Sequence, residues 1–358
     1  MSACSAETSR SPAVCCLFVA AAVCAAVSPV AAETVIPSAE WRNTITFPSD
    51  SFRAQGTASD DPGWIKFTIF VSDPTKVYFQ DSRASHYPFH YQWARDHVVE
   101  YGGMTAEQFD QITLYAAGQQ AILGAVILPH WTAQTPPAQA INEYGIQFVR
   151  QDAYDPAQVV DLFNLVKSKV SAAPGVEVFY FPAYEQLASA QEHQAYLESQ
   201  GVIISSTARW AEGNACYAPG WALGTLKYVV GSGIDSAYRG GALGPNDILL
   251  TDGVPAEVPI VAGIVTLSPS TPSSHVAILS STYGTPFAFA ALADDAARAQ
   301  QLVGRKIVLR AYGTSSNCDL RLIDVEDVLT PQQTAEILAL KQPPPLNISP
   351  MTPYGAFS

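Results

Sequence analysis

The stretch Val261-Ala262-Gly263-Ile264-Val265-Thr266-Leu267-Ser268-Pro269-Ser270-Thr271-Pro272-Ser273-Ser274-His275-Val276-Ala277-Ile278-Leu279 changes character twice. Its first part is apolar and β-branched, as a buried strand requires. Ser268 to Ser274 is a run of small hydroxyl residues and prolines, which reads as a loop. After His275 the apolar residues return, so this histidine stands where a loop feeds the first turn of a helix. Such a junction offers free backbone N–H groups and the positive end of the helix dipole, a favourable place for a phosphoryl group. Thr271, Ser273 and Ser274 supply hydroxyls beside it. Imidazole also suits the position chemically, being neutral and nucleophilic near pH 7 with an ordinary pKa of about 6.5.

Outward from this stretch, the chain from Trp210 is rich in glycine and short β runs: Leu226–Val230, Asp247–Leu250, Ile260–Leu267, Lys306–Arg310 and Leu320–Ile323. Helices are expected after His275 and over Asp294–Leu302, and Thr330-Pro331-Gln332-Gln333 opens another with a capping-box pattern. Upstream, residues 61–206 have a different texture. Strands are expected within Trp64–Gln80, split by Ser72-Asp73-Pro74, and at Ala121–Leu128, Val176–Phe181 and Val202–Ser205. Asp155-Pro156 starts an amphipathic helix with Val159, Val160, Leu162, Phe163, Val166 and Val170 on its apolar face. A further helix is expected over Ala188–Gln200, closed by Gly201. At 358 residues the chain suits two folded units with tails. The expected class is α/β.

His275-Val276-Ala277-Ile278, with Ser273 two residues before and Gly284-Thr285-Pro286 after, resembles the phosphohistidine signature of phosphoenolpyruvate-utilising enzymes. Tyr217 to Gly224, Asp247-Ile248-Leu249-Leu250 and Gly263-Ile264-Val265 are similar to that family's other strands, in the same order. Ser270 and Thr271 stand where the family has paired glycines, and Ser281 stands where an arginine follows the histidine. The resemblance covers about a third of the chain. It implies a β/β/α swivelling domain over residues 207–328, as in phosphoenolpyruvate synthases and pyruvate phosphate dikinases. His275 would be the phosphoryl carrier, Thr271, Ser273 and Ser274 would position phosphate, and Gly263, Gly284 and Pro286 would shape the turns. It also implies ATP and Mg2+ at a site outside this chain, on an ATP-grasp domain or partner, with a pyruvate-like acceptor. The α/β unit 61–206 is similar to the leader region of some bacterial synthase-like proteins, around Tyr87–Tyr91 and Arg150–Pro156.

Composition bounds the alternatives. The net charge is −13, from 19 Lys and Arg against 32 Asp and Glu, which repels phosphate backbones and argues against nucleic acid as a partner. No Gly-x-x-x-x-Gly-Lys-Ser/Thr loop is present, and there is no room for a (β/α)8 barrel. Between Ser11 and Ala32 no charge occurs, and Val30-Ala31-Ala32 offers a small-residue cleavage site, so residues 1–32 read as a signal peptide and the mature chain as exported. An uncleaved membrane anchor is the second choice. Residues 33–60 read as an extended lead-in, and residues 329–358 as a helix followed by a Pro-rich linker. Cys4, Cys15, Cys16 and Cys24 lie in the leader. Cys216 and Cys318 remain, and either one disulfide or two separate buried thiols fits them. No Cys/His ligand spacing supports a metal site. His86, His90 and His97 cluster with Tyr87, Tyr91 and Trp93, where Pro88 interrupts the helix and aromatic packing with surface histidines is expected. A Ser/His hydrolase around Ser273 or Ser274 is disfavoured, because adjacent residues rarely face each other for proton transfer. The expected function is phosphotransfer through a phosphohistidine. The alternative is an exported, non-catalytic binding or structural protein that keeps the fold.

Overall fold

The computed structural model describes residues 32–56, 61–133, 140–211, 213–255 and 257–341. The leader through Ala31 and the Pro-rich tail from Pro343 lie outside the described residues. The chain is α/β, built on two seven-stranded sheets.

The lead-in is stitched into the first α/β unit by three two-residue strands, β1 (Trp41–Arg42), β2 (Ile45–Thr46) and β3 (Ala54–Gln55). β4 (Gly63–Phe70) and β5 (Tyr78–Gln80) come next, parted by the turn over Ser72-Asp73-Pro74 as expected. The aromatic segment then enters α1 (His90–His97) two residues after Pro88, and α2 (Ala106–Thr113) starts from a capping box between Thr105 and Gln108. β6 (Ala121–Leu128) and β7 (Glu143–Val149) pair antiparallel. α3 (Pro156–Ser168) then crosses over, by way of the short β8 (Val170–Ser171), to β9 (Glu177–Tyr180), which lies parallel to β7. α3 begins as its sequence dictates: the Asp155 side chain accepts from the Ala157 N–H, and Pro156 occupies the first helical position. The first sheet runs β1-β5-β4-β6-β7-β9, with β3 also on β4, and β2 pairs with β8 apart from it. Ile65, Phe67 and Ile69 of β4 pack with Val159, Val160, Leu162, Phe163 and Val166 of α3 in one core.

Two of the expected elements take a different form here, and α2 and β7 were not expected. The helix expected over 188–200 is two helices, α4 (Tyr184–Glu192) and α5 (Gln194–Ser199), interrupted at His193, where Nδ1 bonds back to the Ser189 carbonyl at 2.9 Å. The strand expected at 202–205 is a single bridge, Ile204 to Tyr180.

The second sheet runs β10-β14-β13-β12-β11-β15-β16. Its strands are β10 (Ala215–Ala218), β11 (Gly220–Tyr228), β12 (Asp247–Thr251), β13 (Gly263–Thr266), β14 (Phe287–Phe289), β15 (Lys306–Gly313) and β16 (Cys318–Asp324). The middle four, β11 to β14, are parallel, and β10, β15 and β16 join antiparallel. α6 (Ile234–Arg239), α7 (His275–Tyr283), α8 (Ala293–Gln301) and α9 (Pro331–Ala339) connect or succeed these strands. The capping box expected at Thr330 is formed with Gln333. The sheet curves until its two outermost strands meet. Cys216 of β10 and Cys318 of β16 form a disulfide with Cα atoms 5.2 Å apart, and the Cys216 N–H donates to the Thr314 carbonyl at 2.8 Å. Of the two cysteine arrangements open from sequence, the bonded one is present.

Candidate functional site

His275 is the first residue of α7, as the loop-to-helix reading places it. Ser274 caps the helix, its side chain accepting from the Ala277 N–H at 3.1 Å. Gly284 ends the helix in the left-handed conformation at φ +65°, where a side chain would be strained, and Pro286 stands just ahead of β14. Gly263 opens β13 in a crowded place: a Cβ there would meet Leu309 Cδ2 at 2.9 Å and Pro286 Cγ at 3.2 Å. The three turn residues therefore shape the strands and helix that carry His275.

The loop before the histidine is held from both sheets. The Ser270 N–H donates to the Tyr217 hydroxyl at 2.8 Å, and the Thr207 hydroxyl donates to the Ser270 carbonyl at 2.9 Å. Thr271 and Ser273 are buried, share a hydrogen bond at 3.1 Å, and Thr271 Oγ1 donates to Gln147 Oε1 of β7 at 3.2 Å. Their hydroxyls thus fasten the loop to the first sheet. Ser270 Oγ donates to Ser274 Oγ at 3.4 Å. In the structure the hydroxyls of Thr271, Ser273 and Ser274 hold the loop and the helix start in shape.

His275 keeps an exposed surface, while its ring stands edge-on to Phe89, centroids 5.2 Å apart and planes at 76°. Burial, then the charge of Lys66, holds its pKa below the ordinary histidine value. It therefore enters neutral solution as the free base. It lies at the mouth of a cavity of about 130 Å³ formed between the two sheets, whose walls include Lys66, His90, Gln147 and the loop Ser268–Ser274.

Sequence reasoning missed Lys66 and His90 as site residues. Lys66 sits in β4, all eight residues of which are buried, on the face opposite Ile65, Phe67 and Ile69. It is 5 % exposed, and its Nζ lies 5.6 Å from the centre of the Phe89 ring. The lysine ion pairs among the described residues are Lys76–Asp73 and Lys227–Asp247, so Lys66 has none there. Burial lowers its pKa to about 7. The Nε2–H of His90 donates to the Gly124 carbonyl at 2.9 Å. Burial, then the Lys66 charge, pushes His90 down to about 3, so it stays neutral. The sequence carried one signal for this: a lysine inside the otherwise apolar Trp64-Ile65-Lys66-Phe67-Thr68-Ile69-Phe70, a place where a charged side chain is rarely found without a specific reason.

The histidine cluster near α1 is more buried than expected. His97 is buried, with Nε2 at 3.1 Å from the Tyr87 hydroxyl and 3.3 Å from Glu40 Oε2, and its ring packs on Tyr87 and Trp93. Of the three, His90 reaches the cavity and His97 serves packing. Among the described residues no group of three or more His, Cys, Asp or Glu could hold a metal ion. No family model and no curated protein matches the chain.

Proposed function

We propose that this protein transfers phosphoryl groups through a phosphohistidine at His275, on a β/β/α swivelling-type domain preceded by an α/β unit. The observation that carries this is the placement of a partly exposed, neutral imidazole at the first position of α7, at the mouth of a cavity containing the buried cation-forming Lys66. In the transfer, an imidazole nitrogen attacks the donor phosphorus, a P–N bond forms, and the donor's P–O bond breaks. The acceptor oxygen later attacks the same phosphorus, and the imidazole leaves. A low histidine pKa keeps the attacking lone pair free at neutral pH. The helix dipole and Lys66 oppose the negative charge that arrives. Lys66 thereby stands in for the arginine that Ser281 replaces. ATP and Mg2+ would act on an ATP-grasp part outside this chain, and the acceptor would be pyruvate-like. Phosphate positioning is assigned to Ser274 and the loop backbone, with Ser273 and Thr271 holding the loop.

The Cys216–Cys318 disulfide favours a second reading, an exported binding protein without turnover, because such bonds persist in oxidising compartments. Chemical phosphorylation separates the two without needing a nucleotide-binding part. Incubation with phosphoramidate, and separately with labelled phosphoenolpyruvate, should give acid-labile, alkali-stable phosphate on His275. His275→Ala should lose it. Label that persists in His275→Ala, or wild-type protein that accepts none from either donor, would overturn the proposal.

A further inference from the structure

Lys66 invites chemistry that does not depend on a phosphoryl group. It is 5 % exposed and makes no ion pair among the described residues. The wall it shares holds two imidazoles and no carboxylate apart from Glu185. A buried ammonium without water or an anion is costly, and the free amine is the form such a place favours. A free amine facing a small cavity is a nucleophile toward a carbonyl carbon.

We propose that Lys66 forms an imine with a small aldehyde bearing a carboxylate. The cavity, about 130 Å³, admits a compound of only a few non-hydrogen atoms. The carboxylate follows from charge: protonation of the imine makes a buried cation, no ion pair to Lys66 forms among the described residues, and an anionic group on the ligand supplies the charge it lacks there. The Nζ atom adds to the carbonyl carbon, forming the C–N bond, and one amine proton passes to the former carbonyl oxygen. The second amine proton leaves with that oxygen as water, and the C=N bond is complete. No oxidant or reductant is consumed.

The test is reductive trapping of the full chain with glyoxylate and cyanoborohydride at pH 7, read by peptide mass spectrometry. Lys66 should be modified about a hundredfold faster than exposed Lys76, since an ordinary lysine is almost wholly protonated at that pH. His275→Ala should still form the adduct, although it cannot carry phosphate, so this inference and the phosphotransfer proposal fail separately. Lys66 modified no faster than Lys76, or an adduct that requires His275, would overturn it. Acetaldehyde, which lacks the carboxylate, should be trapped more slowly at Lys66; equal trapping would overturn the acid requirement.

Discussion

Lys66 binds its proton more weakly in the folded protein, near pH 7, than in the unfolded chain, where an ordinary lysine holds it to 10.5. Between these values unfolding takes up a proton, so stability rises with pH across the window. Below about pH 7 both states carry the proton and the burial penalty is felt in full. His90, held to about 3, acts with the same sign between about pH 3 and its ordinary 6.5. Lys66→Met keeps the length and apolar character of the side chain without the charge. It should raise stability at pH 7 by a few kcal/mol, on the order of what a shift of this size is worth. The gain should shrink steadily as pH climbs from about 7 to 10.5 and vanish above it, which thermal unfolding of both proteins across pH would show; a gain that stays constant with pH would contradict it. At this scale His275 was legible in the sequence, because a loop of hydroxyls, a histidine and an apolar helix start are neighbours along the chain. Lys66 and His90 were not, because their meeting with His275 is made by packing between residues far apart in sequence.

Most elements could be read from their own residues: β6 matches the apolar run Ala121–Leu128, and α3 begins at the cap and proline that mark it. β7 could not. Its sequence, Glu143-Tyr144-Gly145-Ile146-Gln147-Phe148-Val149, is interrupted by a glycine and a glutamine whose reasons lie elsewhere. A Cβ on Gly145 would fall 2.2 Å from a ring carbon of Phe181, and Gln147 reaches across to Thr271. Gly145→Ala should therefore be destabilising by roughly 1–3 kcal/mol, the usual range for forcing extra volume into a packed core. Chemical denaturation would measure it, and an unchanged midpoint would show that Phe181 moves aside freely. The break at His193 has a similar lesson: the sequence over 188–200 favours a helix, and only the folded chain shows it divided. The disulfide between β10 and β16 closes a loop with a sequence separation of 102. Replacing both cysteines by serine should cost about 4–5 kcal/mol if the loss of unfolded-chain freedom dominates.

The two sheets share contacts that tie them into one folding unit. Phe179, Phe181 and Trp210 pack with Trp64, Ala125 and Ile127 of the first sheet and with Ile278 of α7. Arg209 pairs with Glu143 at 2.7 Å, and Asp61 accepts from the Ser315 N–H at 2.6 Å and from its hydroxyl at 2.7 Å. Gly231 and Gly253 leave room for the ring of Tyr184, which approaches both. Calorimetry should accordingly find one transition with matching calorimetric and van't Hoff enthalpies. Trp210→Ala, which removes the shared aromatic, should separate it into two; two transitions in the wild type would mean that the sheets fold independently. Under the proposed phosphotransfer, any travel of the His275 domain would first have to break these contacts.

The meeting of β10 and β16 carries a consequence for how copies of this protein treat one another. An outermost strand normally displays unpaired N–H and C=O groups on which another chain can build. Here the Cys216 N–H is already taken by Thr314, and the disulfide pins the two margins of the sheet together. Reduction would free both margins at once, offering complementary templates on a single molecule. Two such templates per copy permit head-to-tail growth, so the reduced protein should polymerise as its concentration rises while the oxidised protein stays dispersed.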